Sequence, residues 1–113
     1  MAKRKLAEQA APPTPITGAM ERIAASLAGA SRLQALLGQV GAEVMTAEAK
    51  WPPMNSAHEA YAVLLEEVDE LWEHVKTNQA KRDIPAMRKE ALQVAAMALR
   101  FVRDVCDGGR GRK

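Results

Sequence analysis

Cysteine is almost missing from this 113-residue chain: Cys106 stands alone. A single thiol forms no internal disulfide, and it rules out both a cysteine-based zinc site and a CxxC redox pair, so a reducing cytoplasm is the default location. Long apolar runs are missing too. Nothing approaches the ~20 consecutive apolar residues that a bilayer requires. Behind the basic start Lys3, Arg4 and Lys5, the residues Glu8 and Gln9 and three prolines interrupt any stretch that could serve as the core of a signal peptide. Strand-like alternation and internal repeats are absent as well, whereas helix start and stop signals recur, which predicts an all-α fold.

Charge is distributed unevenly. The formal value is +2, yet Lys3, Arg4, Lys5, Arg110, Arg112 and Lys113 all lie near the ends; from Met20 to Asp107 ten Lys/Arg face thirteen Asp/Glu, a net of −3. Residues 1–19 read as a flexible basic, Pro-rich arm, 20–106 as one all-α domain, and 107–113 as a flexible basic tail. Short Gly/Arg ends are read as solvated termini before they are read as nucleic-acid contacts. A domain this small buries only about 60% of its unfolded surface, so a homodimer or tetramer is expected.

Within the domain, a short helix over about Gly18–Ala28 is predicted to stop at Gly29, with Ser31 and Gln34 opening the next as a capping box. Leu33, Leu37, Val40, Val44 and Trp51 share one side of that second helix, and Gly38 and Gly41 either weaken it or admit a close neighbour. Pro52 and Pro53 break the chain. Ser56 with Glu59 then caps a helix reaching Lys76 or Thr77, and Asp83 with Pro85 opens a last helix that ends before Gly108 and Gly109.

The third of these helices carries Glu66, Glu67, Glu70 and Glu73 on one side, opposite Tyr61, Leu64, Leu65, Val68, Leu71, Trp72 and Val75. Like charges at such spacing repel. On the last helix Glu90 falls among Val94, Met97 and Phe101, whereas Lys89, Gln93, Arg100 and Arg103 occupy the polar side. A carboxylate in an apolar setting must be protonated, paired or metal-bound. One resolution is an Arg or Lys partner such as Arg88. The other packs Glu90 against Glu66, Glu67 and Glu70 around a hard cation, chiefly Mg²⁺ or Mn²⁺, whose remaining positions suit water and phosphate oxygens.

These residues resemble a known pattern. The all-α nucleoside triphosphate pyrophosphohydrolases, the superfamily of MazG and the dimeric dUTPases, carry EExxE on one helix and ExxD on the next. Here "EEVDE" (Glu66, Glu67, Glu70) matches in full, and "EALQ" supplies Glu90 with Gln93 in place of the aspartate. The likeness covers about Glu43 to Val105 and is strongest to small phage and bacterial MazG-like proteins associated with dATP or dGTP hydrolysis, the MazZ type among them.

The resemblance implies a MazG-like helical bundle completed by oligomerisation and a Mg²⁺-dependent hydrolysis of a (deoxy)nucleoside triphosphate, with dGTP or dATP foremost, to monophosphate and pyrophosphate. If the chain is phage-encoded, it would act in the host cytoplasm. Glu67, Glu70 and Glu90 would be metal ligands, Glu66 a further ligand or the base for the attacking water, and Gln93 a weaker oxygen ligand. For the substrate, Trp51 is read first as core and second as a stacking face, and Asn55 either as a base contact or as the end of the Pro loop. Lys50, Lys76, Arg82 and Arg88 are candidate phosphate contacts, and His74 is accounted for by the helix C-terminus it occupies. The alternative from another class is a noncatalytic helical module that binds nucleotide, protein or nucleic acid.

Overall fold

The structure, a computed structural model, describes residues 15–112. Helix α1 (Pro15–Lys50) is followed by α2 (Ala57–Val75), a short 3-10 turn (Gln79–Lys81) and α3 (Ile84–Arg100), which runs on as a π-helical segment, Phe101–Cys106. Among the described residues there is no strand, and no helix is long and apolar enough to cross a membrane. Residues 1–14 of the expected arm lie outside the described residues, and 15–19 already belong to α1.

The helix break expected at Gly29–Ser31 is not there, because α1 continues through it. Ser31 and Gln34 are compatible with a helix interior as well as with a cap, and one glycine costs only about 1 kcal/mol. Neither Gly38 nor Gly41 marks a close approach, since an added Cβ at either meets nothing within 4 Å.

The other caps follow from local chemistry. Ser56 Oγ accepts the Glu59 N–H at 3.1 Å, and Glu59 reaches back one residue further than a standard box, accepting the Asn55 N–H at 3.0 Å. Asp83 accepts the Ala86 N–H at 3.1 Å, with Pro85 in the first turn, where its missing N–H costs nothing. At the far end Gly109 has φ +78°, and a Cβ on Gly108 would lie 2.3 Å from the Asp104 carbonyl oxygen, so both positions require glycine.

Two compact units, Met1–Ala35 and Leu36–Lys113, divide the chain within α1. The described part of the first unit is helical and leaves Ile16, Met20, Ile23, Leu27 and Leu33 exposed. The second unit holds the core: Val40 and Val44 from α1, Met54 from the Pro loop, Ala60 from α2, Ala96 and Met97 from α3, and Val105 from the π-helical segment. Helices α2 and α3 form an antiparallel hairpin, and the apolar arc of α2 is only partly used within it. Val63, Leu64 and Leu71 are half-buried, while Tyr61, Leu65, Val68, Trp72 and Val75 remain exposed.

Arg100 departs from its expected place on a polar surface: it is 3% exposed. The loop after Pro52 folds over that side of α3, and the chain there is held by three groups. Arg100 Nη2 donates to the Pro52 carbonyl at 3.1 Å, the Met54 N–H donates to Asp104 at 3.1 Å, and Arg110 Nη1 donates to the Met54 carbonyl at 3.4 Å. Arg110, assigned above to a free tail, is thus half-buried and engaged. The π-helical turn places Asp104 for this role, and Arg100 lies 3.9 Å from its carboxylate.

Candidate metal centre and cleft

Glu67 and Glu70 are three residues apart on one face of α2, and α3 brings Glu90 to the same point. One carboxylate oxygen from each of Glu67, Glu70 and Glu90 lies within 4.8 Å of the other two. Oxygen-only donors at this separation suit a hard divalent cation. Glu66 does not join the three; it is exposed and lines an adjoining cleft together with Glu67.

The electrostatics follow from crowding. Glu67 is pushed up from 4.5 to about 7, chiefly by burial, then by the charge of Glu70 and a side-chain hydrogen bond with it, and less by Glu90 and Glu66. Burial is also the main reason that Glu90 is raised; Glu70 adds to it, and His74 and Lys89 oppose it. Glu90 has no Arg or Lys ion pair among the described residues, so the partner considered at Arg88 is not found; Arg88 is exposed. Instead Glu90 Oε2 is buried without any hydrogen-bond partner. A buried oxygen of this kind is costly unless protonated or bound to a cation, so the donor set fits Mg²⁺ or Mn²⁺ at Glu67, Glu70 and Glu90.

Gln93, one turn beyond Glu90, donates its side-chain amide to Glu43 Oε2 on α1. The amide nitrogen is therefore engaged, and the carbonyl oxygen is the end with capacity for a cation or a water. Glu43 was not singled out from the sequence. Its partner is fifty residues away, and no local spacing signals such a pairing.

The cleft beside the carboxylates has a volume of about 750 Å³, within the range of small-molecule sites. Glu43, Glu66, Glu67, Lys89 and Gln93 give it a polar portion; Ala47, Met54, Val63 and Met97 give it an apolar one. Lys50 and Trp51 also line it, and Trp51 is 63% exposed rather than a core residue: of the apolar side it shares, only Val40 and Val44 are buried, and Leu33 and Leu37 are exposed as well. Lys89, placed above simply on a polar side, is a cleft residue.

The remaining candidates are elsewhere. Asn55 is exposed, and its N–H serves the Glu59 contact; Lys76 pairs with Glu73 at 2.8 Å; Arg82 Nη2 donates to the Val75 carbonyl at 2.6 Å and closes the end of α2. None of these three, nor Arg88, lines the cleft. Comparison of the chain with protein-family models, with curated proteins and with solved structures gives no match.

Proposed function

We propose that this protein is a divalent-metal-dependent pyrophosphohydrolase of MazG-like type, cleaving a (deoxy)nucleoside triphosphate to its monophosphate and pyrophosphate. The observation that carries the reading is the meeting of Glu67, Glu70 and Glu90 within 4.8 Å, with Glu90 Oε2 unpartnered, beside a cleft of nucleotide size. The resemblance of "EEVDE" and "EALQ" to the superfamily's two motifs supports it independently of the geometry.

Glu67, Glu70 and Glu90 would hold Mg²⁺ or Mn²⁺. A bound divalent ion neutralises phosphate oxygens and makes a coordinated water more acidic. The chain's own groups supply the rest. Glu66, exposed on the cleft wall next to Glu67, accepts the proton of the attacking water. Lys50 and Lys89 face the same cleft and attract the polyphosphate. Gln93, tied to Glu43, fixes α3 against α1 at the cleft edge.

A second copy of the chain completes the bundle in this reading. On α2, Tyr61, Leu65, Val68, Trp72 and Val75 recur at alternating steps of four and three, with Tyr61 60% and Trp72 56% exposed. On α3 and its continuation, Ile84, Leu99 and Val102 are exposed as well. A row of this spacing is the pattern by which one helix packs against another, and a second copy of the chain would cover it.

The test is product identity. Incubation with Mg²⁺ and each canonical NTP and dNTP, with resolution of mono- and diphosphates, is expected to give monophosphate plus pyrophosphate from a subset. Diphosphate plus inorganic phosphate, or no product with either Mg²⁺ or Mn²⁺, would reject the reaction.

A further inference from the structure

Ile16, Met20, Ile23 and Leu27 lie in the described part of the first unit, residues 15–35, and each is between 60% and 75% exposed. Their spacing is four, three, four. At ~100° per residue they fall within an arc of about 60° along α1, and Ala30 and Gln34, both exposed, continue the same line. A helical segment of this length draws most of its stability from what packs on its apolar side, so the row calls for a cover.

The width of the row selects another helix as that cover. A helix facing a globular core presents an apolar arc of about 100° or more, and one lying on a bilayer sets Trp, Phe or Leu opposite a Lys/Arg-rich side. Residues 15–35 contain no aromatic residue and no lysine, and their only charges, Glu21, Arg22 and Arg32, lie more than about 100° from the centre of the row. A narrow row of four-three spacing is the seam along which helices pair.

The residues on and beside the seam identify the partner helix. Pairing between unlike helices is directed by charges flanking the seam. Here the flanking positions hold Ala19, Ala24, Ser26 and Ser31, which offer no charge to select a foreign helix and no like charges to oppose an identical one. Gln34, on the seam itself, carries both donors and an acceptor, so it is complementary to the Gln34 of another copy in a parallel, in-register pair. The four apolar side chains supply roughly 300 Å² on each copy, and the small flanking residues bring a pair close to the ~1,000 Å² in total that a specific contact needs.

We infer that residues 15–35 of α1 are a self-association helix, whose Ile16, Met20, Ile23 and Leu27 pair in parallel with the same row of another copy of this chain. The contact is distinct from the α2 face described above, and it does not depend on the reaction assigned to the carboxylates.

The experiment uses the full chain. Sedimentation equilibrium at tens of micromolar compares the parent with an Ile23→Glu, Leu27→Glu double variant and with Arg22→Ala, Arg32→Ala, which alters the opposite side. The row variant is expected to be smaller by about twofold or more, and the opposite-side variant to match the parent. A second measurement leaves the row intact. In a Cys106→Ser background, Ala30→Cys places a thiol on the seam and Arg32→Cys places one on the far side. Mild oxidation is expected to cross-link the first between copies about tenfold or more faster than the second, because only seam positions bring two Cβ atoms within disulfide reach. Equal mass of the row variant and the parent, or equal cross-linking at the two positions, overturns the inference. A monomeric parent that binds phosphatidylcholine–phosphatidylglycerol vesicles through this row also overturns it, and makes a lipid surface the occupant.

Discussion

The side-chain amide of Gln93 donates a hydrogen bond to the Glu43 carboxylate, joining α3 to α1 across fifty residues of sequence. An aspartate or glutamate at 93 would face Glu43 with like charge, so the neutral amide and Glu43 form a matched pair. The acidic character that a carboxylate at 93 would bring to this edge of the cleft comes from Glu43 instead.

Replacing Gln93 by Glu should therefore destabilise the metal-free protein by about 1–3 kcal/mol at neutral pH, through a lost hydrogen bond and a new repulsion. Thermal melts in EDTA should show the loss, and Mg²⁺ should restore more stability to the variant than to the parent. A melting temperature unchanged in EDTA would mean that the pair contributes nothing.

The pH dependence of the metal-free protein has a definite sign. Folded, the Glu67 carboxyl keeps its proton up to about 7, whereas at its ordinary value of 4.5 it would have lost it. Between those values the folded state binds more protons than the unfolded one, so stability falls as pH rises from about 4.5 through 7; the raised carboxyl of Glu90 acts in the same direction. Since a metal requires deprotonated ligands, Mn²⁺ affinity should climb over the same interval, with proton release on binding. Calorimetry in two buffers of different ionisation enthalpy measures that release, and its absence at pH 6 would contradict the raised Glu67 carboxyl.

Gly38→Ala and Gly41→Ala should each raise stability by up to about 1 kcal/mol, because an added methyl meets nothing and the helix gains propensity. In a domain of this size that is a rise of about 4–8 °C per kcal/mol in melting temperature. A fall instead would reveal that another copy of the chain packs against these glycines.

The exposed row on α2 makes its own prediction. A Leu65→Glu, Trp72→Lys double variant should sediment as a smaller species than the parent, while retaining its helical circular dichroism. A parent that is monomeric at tens of micromolar would remove the case for the second copy.

The sequence revealed the structure unevenly, for physical reasons. Ser56 and Asp83 were legible as caps because their partners lie three residues away, within one turn. The approach of Glu90 to Glu67 and Glu70 was legible because helix phase alone sets Glu90 on the packed side of α3. Arg100 was not, since the same phase count puts it on a polar side, and only the return of the Pro52–Met54 loop over α3 buries it. By phase Trp51 continues the apolar side of α1 and reads as core, yet only the Val40–Val44 stretch of that side is covered, and Leu33, Leu37 and Trp51 are exposed. Glu43 was silent because a contact between distant residues leaves no local pattern.

Release of pyrophosphate from dGTP in the presence of Mg²⁺, by the parent and by Glu70→Gln side by side, tests the central claim most directly. Glu70 touches both other carboxylates, and its amide analogue keeps the shape while removing the charge. The parent is expected to form dGMP and pyrophosphate, and the variant to be slower by about 10²-fold or more with unchanged helical content. Equal rates in the two proteins would contradict the assignment of the reaction to the Glu67–Glu70–Glu90 cluster.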